Sequence, residues 1–224
     1  MLILAIKGYL CYNLPINYFY GDFMLSDVIK ALSTRNITGH YAEDKAEALK
    51  IALSLIEKGK TVGWGGSMSV REIGLYDEII KGDYIALNRD TCETAEQKRE
   101  MEIKTFGADY FLCSSNAVTK DGILINIDGN SNRVAAIAYG PKKVIMIVGI
   151  NKVADDLDSA IIRARQVAAP RNAQRFPINT PCKKTGSCAD CKAKDTICCE
   201  FLITRFSKHD DRIHVILVNE ALGF

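Results

Sequence analysis

Apolar positions follow two rhythms that alternate along the chain. A helical rhythm, with apolar residues three and four apart, links Val28, Ile29 and Leu32, and then Ala46, Leu49, Ile51, Ala52, Leu55 and Ile56. It returns over residues 69–80, 94–106 and 155–168. Between these stretches lie apolar runs too short for helices, at 37–41, Thr61–Trp64, 84–87, Tyr110–Cys113 and 144–148, which read as strands. Helices alternating with short, wholly apolar strands predict an α/β fold with a mostly parallel sheet and helices on both faces. Residues 118–127 differ: two strand-like runs flank Asp121-Gly122, the pattern of a hairpin. Residues 201–206 and Ile213–Val218 read as two closing strands.

Punctuation residues refine the boundaries. Met24 opens the first helix with Ser26 as its N-cap, and Gly59 sits where a glycine stop would end the second. Ser69-Val-Arg-Glu72 fits a capping box, and Pro170 is expected to end the last long helix. Residues 24–224 then form one domain with a cysteine-rich segment at 180–199, long enough to bury roughly 70% of its unfolded surface. Residues 1–23, crowded with Tyr9, Tyr12, Tyr18 and Tyr20, lack either rhythm and are expected to be an N-terminal arm, or an extension ahead of a true start at Met24. The apolar opening is broken by Lys7 and Gly8, which argues against a signal peptide or membrane span and for a cytoplasmic protein.

Charge narrows the partners little. Lys and Arg number 29 and Asp and Glu 27, a formal +2 that speaks against nucleic-acid and membrane-surface binding. Chemistry must come from sites. Val62-Gly-Trp-Gly65-Gly66-Ser67-Met-Ser69 leaves a strand and enters a helix, so its glycines and free N–H groups suit a small anion. It lacks the lysine of a Walker loop and the third glycine of a dinucleotide fingerprint, and no nucleotide cofactor is expected. Ser115 and Asn116 follow a strand, and the hairpin leads on to Asp128, Asn130, Asn132 and Arg133, the last able to fork a substrate carboxylate. Asn151 and Lys152 follow another strand. The alternatives at each place are ordinary turn, cap and surface roles. His40, His209 and His214 have no metal or triad spacing.

Five of the eight cysteines fall between 182 and 199. Cys188-x2-Cys191 can grip a metal from a tight turn, and Cys182 with Cys198 or Cys199 completes four thiolates, on zinc or on a [4Fe–4S] cluster, with reduced thiols and disulfides as the alternatives. Lys183, Lys184, Lys192 and Lys194 would offset the negative charge.

Laid side by side, 62–69, Asn126-Ile-Asp-Gly-Asn-Ser-Asn-Arg-Val-Ala135, Gly140-Pro-Lys-Lys-Val144, Val148-Gly-Ile-Asn-Lys152, Ala168-Ala-Pro-Arg-Asn172, the segment opening at Thr180-Pro-Cys182 and Ile213-His-Val-Ile-Leu-Val-Asn219 resemble the lactate-utilisation (LUD) domain family over residues 26–224. The resemblance implies a fold like that of ribose-phosphate isomerase and the CoA transferases. It also implies a role in oxidation of lactate to pyruvate beside iron–sulfur oxidoreductase subunits. Two readings follow: an enzyme or oxidoreductase subunit acting on a small anionic hydroxy acid, as a monomer or homo-oligomer, or a non-catalytic binding or regulatory module with a structural metal.

Overall fold

The computed structural model describes residues 17–224, with side-chain surroundings from Leu25 onward. The expected arm at 1–23 lies outside the described residues up to position 16. Helix α1 (Asn17–Thr34) starts seven residues ahead of Met24, so Ser26 lies inside the helix rather than at its N-cap. No proline interrupts the chain between Pro15 and Thr34, and the stripe of Leu25, Val28 and Leu32 holds the helix against the core.

The alternating order is as expected. After β1 (Thr38–Ala42) and α2 (Lys45–Leu55), capped by the Asp44 side chain on the Glu47 N–H, come β2 (Thr61–Trp64), α3 (Met68–Glu72), α4 (Leu75–Lys81) and β3 (Ile85–Leu87). Helix α5 (Ala95–Phe106), with a capping box of Thr94 and Gln97, leads to β4 (Tyr110–Cys113). The hairpin is β5 (Ala117–Thr119) and β6 (Leu124–Asp128), followed by α6 (Asn132–Ala138), β7 (Lys143–Gly149) and β8 (Val153–Ala154). The rest is α7 (Leu157–Arg163), α8 (Ala169–Ala173), α9 (Pro181–Thr185), β9 (Glu200–Thr204) and β10 (Ile213–Val218).

Four boundaries depart from the sequence expectation for local reasons. Residues 69–80 form two helices rather than one, because Gly74 at φ 77° turns the chain between α3 and α4. The N-cap of α3 is Ser67, whose hydroxyl accepts from the Val70 N–H, so the box expected at Ser69 and Glu72 does not form. Helix α2 stops at Ile56, and Gly59, at φ 71°, belongs to the turn beyond. Pro170 does not end its helix either. A π-helical turn, Ala164–Ala168, joins α7 to α8, and this wider turn relieves the clash that the proline ring would make with a carbonyl four residues back in an α-helix.

Six strands form one parallel sheet in the order β1-β10-β7-β4-β2-β3. Strand β10, expected to close the sheet, lies inside it between β1 and β7, and all six of its residues are buried. Alternate side chains serve two cores. Trp64, Leu112, Ile145 and Ile216 pack against α2 and α4, while Phe111, Met146, Val148 and Val215 pack against α1 and α6. The hairpin belongs to a second, four-stranded sheet, β8-β5-β6-β9, backed by Ala160 of α7 and by Ala164. Leaving β4, the chain runs straight into this second sheet, which therefore stands beyond the carboxyl ends of the main strands. Helix α5 packs so close to β2 that a Cβ on Gly63 would lie 2.5 Å from Thr105 Cγ2. Gly63→Ala is expected to destabilise the fold by about 1–3 kcal/mol in urea unfolding, and adding Thr105→Ala to recover part of that loss.

Candidate functional site

A cleft of about 600 Å³ opens where the two sheets meet, lined from the ends of β2, β4 and β7 and from the start of α6. Parallel sheets collect ligands at this end because the loops leaving adjacent strands diverge there. Gly65, Gly66, Ser67, Ser69, Ser115, Asn116, Asp128, Asn130, Asn132, Arg133 and Lys152 all line it. Asn151 does not: its Oδ1 accepts the Leu222 N–H at 3.0 Å and fixes the C-terminal segment. The cleft is cationic. Six cations, Arg89, Lys98, Arg133, Lys152, Arg175 and Lys194, face it against Asp128 and Asp195.

Lys152 sits on the cleft floor, 3% exposed, in the tight turn after β7. Its Nζ donates to Ser69 Oγ at 2.8 Å and to Ser114 Oγ at 2.9 Å. It forms no ion pair with a carboxylate among the described residues. Burial, and after it the neighbouring charges of Arg163 and Arg133, bring its pKa down to about 7, with Glu72 a weaker opposing influence. An amine so placed changes charge near neutrality, and any anion reaching it favours the charged form.

Arg133 organises the floor rather than reaching out from it. Its Nη1 donates to Ser114 O and Asn126 Oδ1, and its Nη2 to Asn116 Oδ1 and Ile127 O. The fork that the sequence offers to a substrate carboxylate is thus closed on four protein acceptors. Asp128 is occupied in the same way, accepting from the backbone N–H groups of Asn130, Arg133 and Val134 and so holding the start of α6. Asn116 accepts the Ile127 N–H at 2.8 Å beside the guanidinium. The glycine loop is tied down too. Tyr76 donates its hydroxyl to Gly65 O at 2.6 Å and accepts the Ser67 N–H, while the Gly65 N–H bonds Leu112 O. A Cβ on Gly65 would lie 3.1 Å from Arg133 Cδ, so the glycine is what lets the arginine stem pass.

The family model described as LUD domain matches residues 25–218. The chain belongs to the LUD domain family. No curated protein sequence matches it. Among solved structures it is similar to a DUF162 family protein from Deinococcus radiodurans, 16% identical with a TM-score of 0.48, the match covering 92% of this chain and 100% of that one. It is also similar to eIF2B delta from Chaetomium thermophilum, 15% identical with a TM-score of 0.35, covering 68% of this chain and 63% of that one.

The LUD domain presents cleft residues to which the sequence assigned no site role. Arg89 follows β3 and pairs with Glu102 at 2.9 Å, and its place in a strand-end loop is the signal that would have found it. Ala168, Asn172 and Arg175 line the cleft at helical spacings of four and three, aligned by the π turn, which no pattern of apolar residues foretells. Arg175 donates to Gly66 O and to Asn172 Oδ1, and burial lowers its pKa from the usual arginine value.

The cysteine segment packs behind the cleft. Cys182, Cys188, Cys191 and Cys198 line one small cavity of about 60 Å³, whereas Cys199 lines the main cleft and is exposed. Cys113 is a core residue whose thiol is pushed up to about 12 by burial. Among the described residues no three His, Cys, Asp or Glu side chains approach as closely as one metal ion requires.

Two variants probe the floor. For a lysine whose folded pKa is depressed to about 7, the unfolded chain binds the extra proton as pH rises above that value, so stability increases with pH up to the usual lysine range. The urea-unfolding stability of the wild type relative to Lys152→Met is expected to rise between pH 7 and 10; a constant difference would count against the buried amine. Arg133→Lys keeps the charge but leaves buried acceptors unpaired, and is expected to lower stability by about 1–3 kcal/mol in the same measurement.

Proposed function

We propose that this LUD domain binds a small carboxylate metabolite, a 2-hydroxy acid such as lactate or its 2-oxo product, as an enzyme or enzyme subunit of cytoplasmic hydroxy-acid oxidation. The observation that carries the reading is Lys152, a buried amine with two serine hydroxyls and no carboxylate partner, on the floor of a cleft with six cations. A buried cation without a counter-ion is costly, and a bound anion removes that cost. Family membership supports the choice of a hydroxy acid over other anions.

The cations draw the anion in, and those at the mouth, Arg89 and Arg175, stand where a carboxylate first arrives. Charged, Lys152 supplies the positive partner for the carboxylate at the floor. Oxidation of a 2-hydroxy acid releases two protons and two electrons. The hydroxyl proton would pass to solvent at the cleft mouth, and the C2 hydrogen would leave with its bonding pair as hydride, to an acceptor carried by a partner subunit of an iron–sulfur oxidoreductase.

Calorimetric titration of the full chain with lactate, pyruvate and inorganic phosphate between pH 6 and 9 tests this. Because the anion favours the protonated amine, affinity for pyruvate or lactate is expected to fall by up to about tenfold per pH unit above pH 7, and to lose that dependence in Lys152→Met. Binding of neither acid, or phosphate binding far more tightly than both, would overturn the proposal.

A further inference from the structure

The cysteine segment carries a second site, separate from the anion cleft. Between α9 and β9 the chain runs for fourteen residues, 186–199, without a helix or strand. Loops of that length inside a compact domain are uncommon unless something fixes them, and bound metal is one such fixative. Here the one common feature is sulfur. Cys182 projects from α9, Cys188 and Cys191 from the turn that follows, and Cys198 from just before β9, and all four border the same 60 Å³ cavity. None is in a disulfide.

The size of the cavity bears on what it could hold. A single zinc ion draws four sulfurs to about 2.3 Å from one point. No three of these side chains converge that closely, yet all four surround one space several times larger than a single water needs. A polyatomic core held by four thiolates needs a larger space than a single ion does. The surroundings suit the charge of such a core. Arg165 Nη2 lies 3.9 Å from Cys188 Sγ, and Thr180 Oγ1 lies 3.3 Å from Cys182 Sγ, so two of the four sulfurs already have polar neighbours able to donate to them. Arg165 is itself paired with Asp190 in the same turn. Cys199 is placed differently, on the cleft side with its Sγ against Thr196 O, and takes no part in the cavity.

We propose that Cys182, Cys188, Cys191 and Cys198 ligate a [4Fe–4S] cluster in this cavity, with Cys199 free. Thr196 and Ile197 line both the cavity and the cleft, so the cluster lies one wall away from the bound anion. The site does not depend on what the cleft binds, and either assignment can fail without the other.

The test is purification of the full chain without oxygen, with iron, acid-labile sulfide and zinc measured alongside the visible spectrum and the electron paramagnetic resonance of the dithionite-reduced protein. About four iron and four sulfide per chain are expected, with a broad visible band and a reduced-cluster signal. Cys198→Ser is expected to lose most of the iron while Cys199→Ser and Cys92→Ser keep it, a contrast that a purely structural role for any cysteine would not give. If Cys198→Ser does not fold, the metal content of the wild type and of Cys199→Ser decides alone. One zinc per chain without sulfide, disulfides among the four cysteines, or no cluster after anaerobic reconstitution with ferrous iron and sulfide would overturn the proposal.

Discussion

A lysine amine buried without a carboxylate is the constraint on which the rest of this site depends. Lys152 has only the hydroxyls of Ser69 and Ser114 within hydrogen-bond reach, while Arg163 and Arg133 act on it as like charges. Such a group lowers the stability of the fold, since it must lose either its proton or its hydration on folding. A chain that holds it in place therefore needs rigid supports on every side. Ser69 comes from α3, Ser114 from the end of β4, and Lys152 itself from the end of β7, so three neighbouring strand ends fix one amine.

Arg133 explains how the second sheet is held against the first. Its four terminal N–H contacts reach the exit of β4, the asparagine that follows it, and two positions on β6, all from the first turn of α6. Asp128 closes the same junction from the other side by capping α6. Together they tie the second sheet to the first through one half-buried charge network. The cleft takes its positive sign from the cations left over at the rim, Arg89, Arg175, Lys98 and Lys194.

The layers and the place of the cleft were legible in the pattern of apolar residues, because buried parallel strands demand continuous apolar runs and their ends demand glycine and small polar residues. Roles within the site were less legible. Arg133 and Asp128 stand close together in a polar loop, and nothing local distinguishes an outward fork from one closed on Ser114 O and Ile127 O, which are 19 and 6 residues away. Ser67 and Ser69 were interchangeable as caps until Lys152, 83 residues on, claimed the second. Asn151 looked like its neighbour Lys152 but turns to Leu222. Arg175 reaches the cleft from beyond a helix that a π turn precedes, and Pro170, which reads as a helix end, lies inside that helix. Long-range partners and a local change of helical pitch are the kinds of information that spacing alone does not contain.

The central claim is that the Lys152 amine titrates near neutrality and answers to an anion on the cleft floor. Direct titration of lysine side chains by carbon-13 NMR of the Cε resonances, with Lys152 assigned through Lys152→Met, measures both. The account predicts one lysine with a pKa near 7 in the free protein that moves upward when pyruvate saturates the cleft. A Lys152 resonance titrating with the ordinary surface lysines, and unmoved by pyruvate, would contradict it.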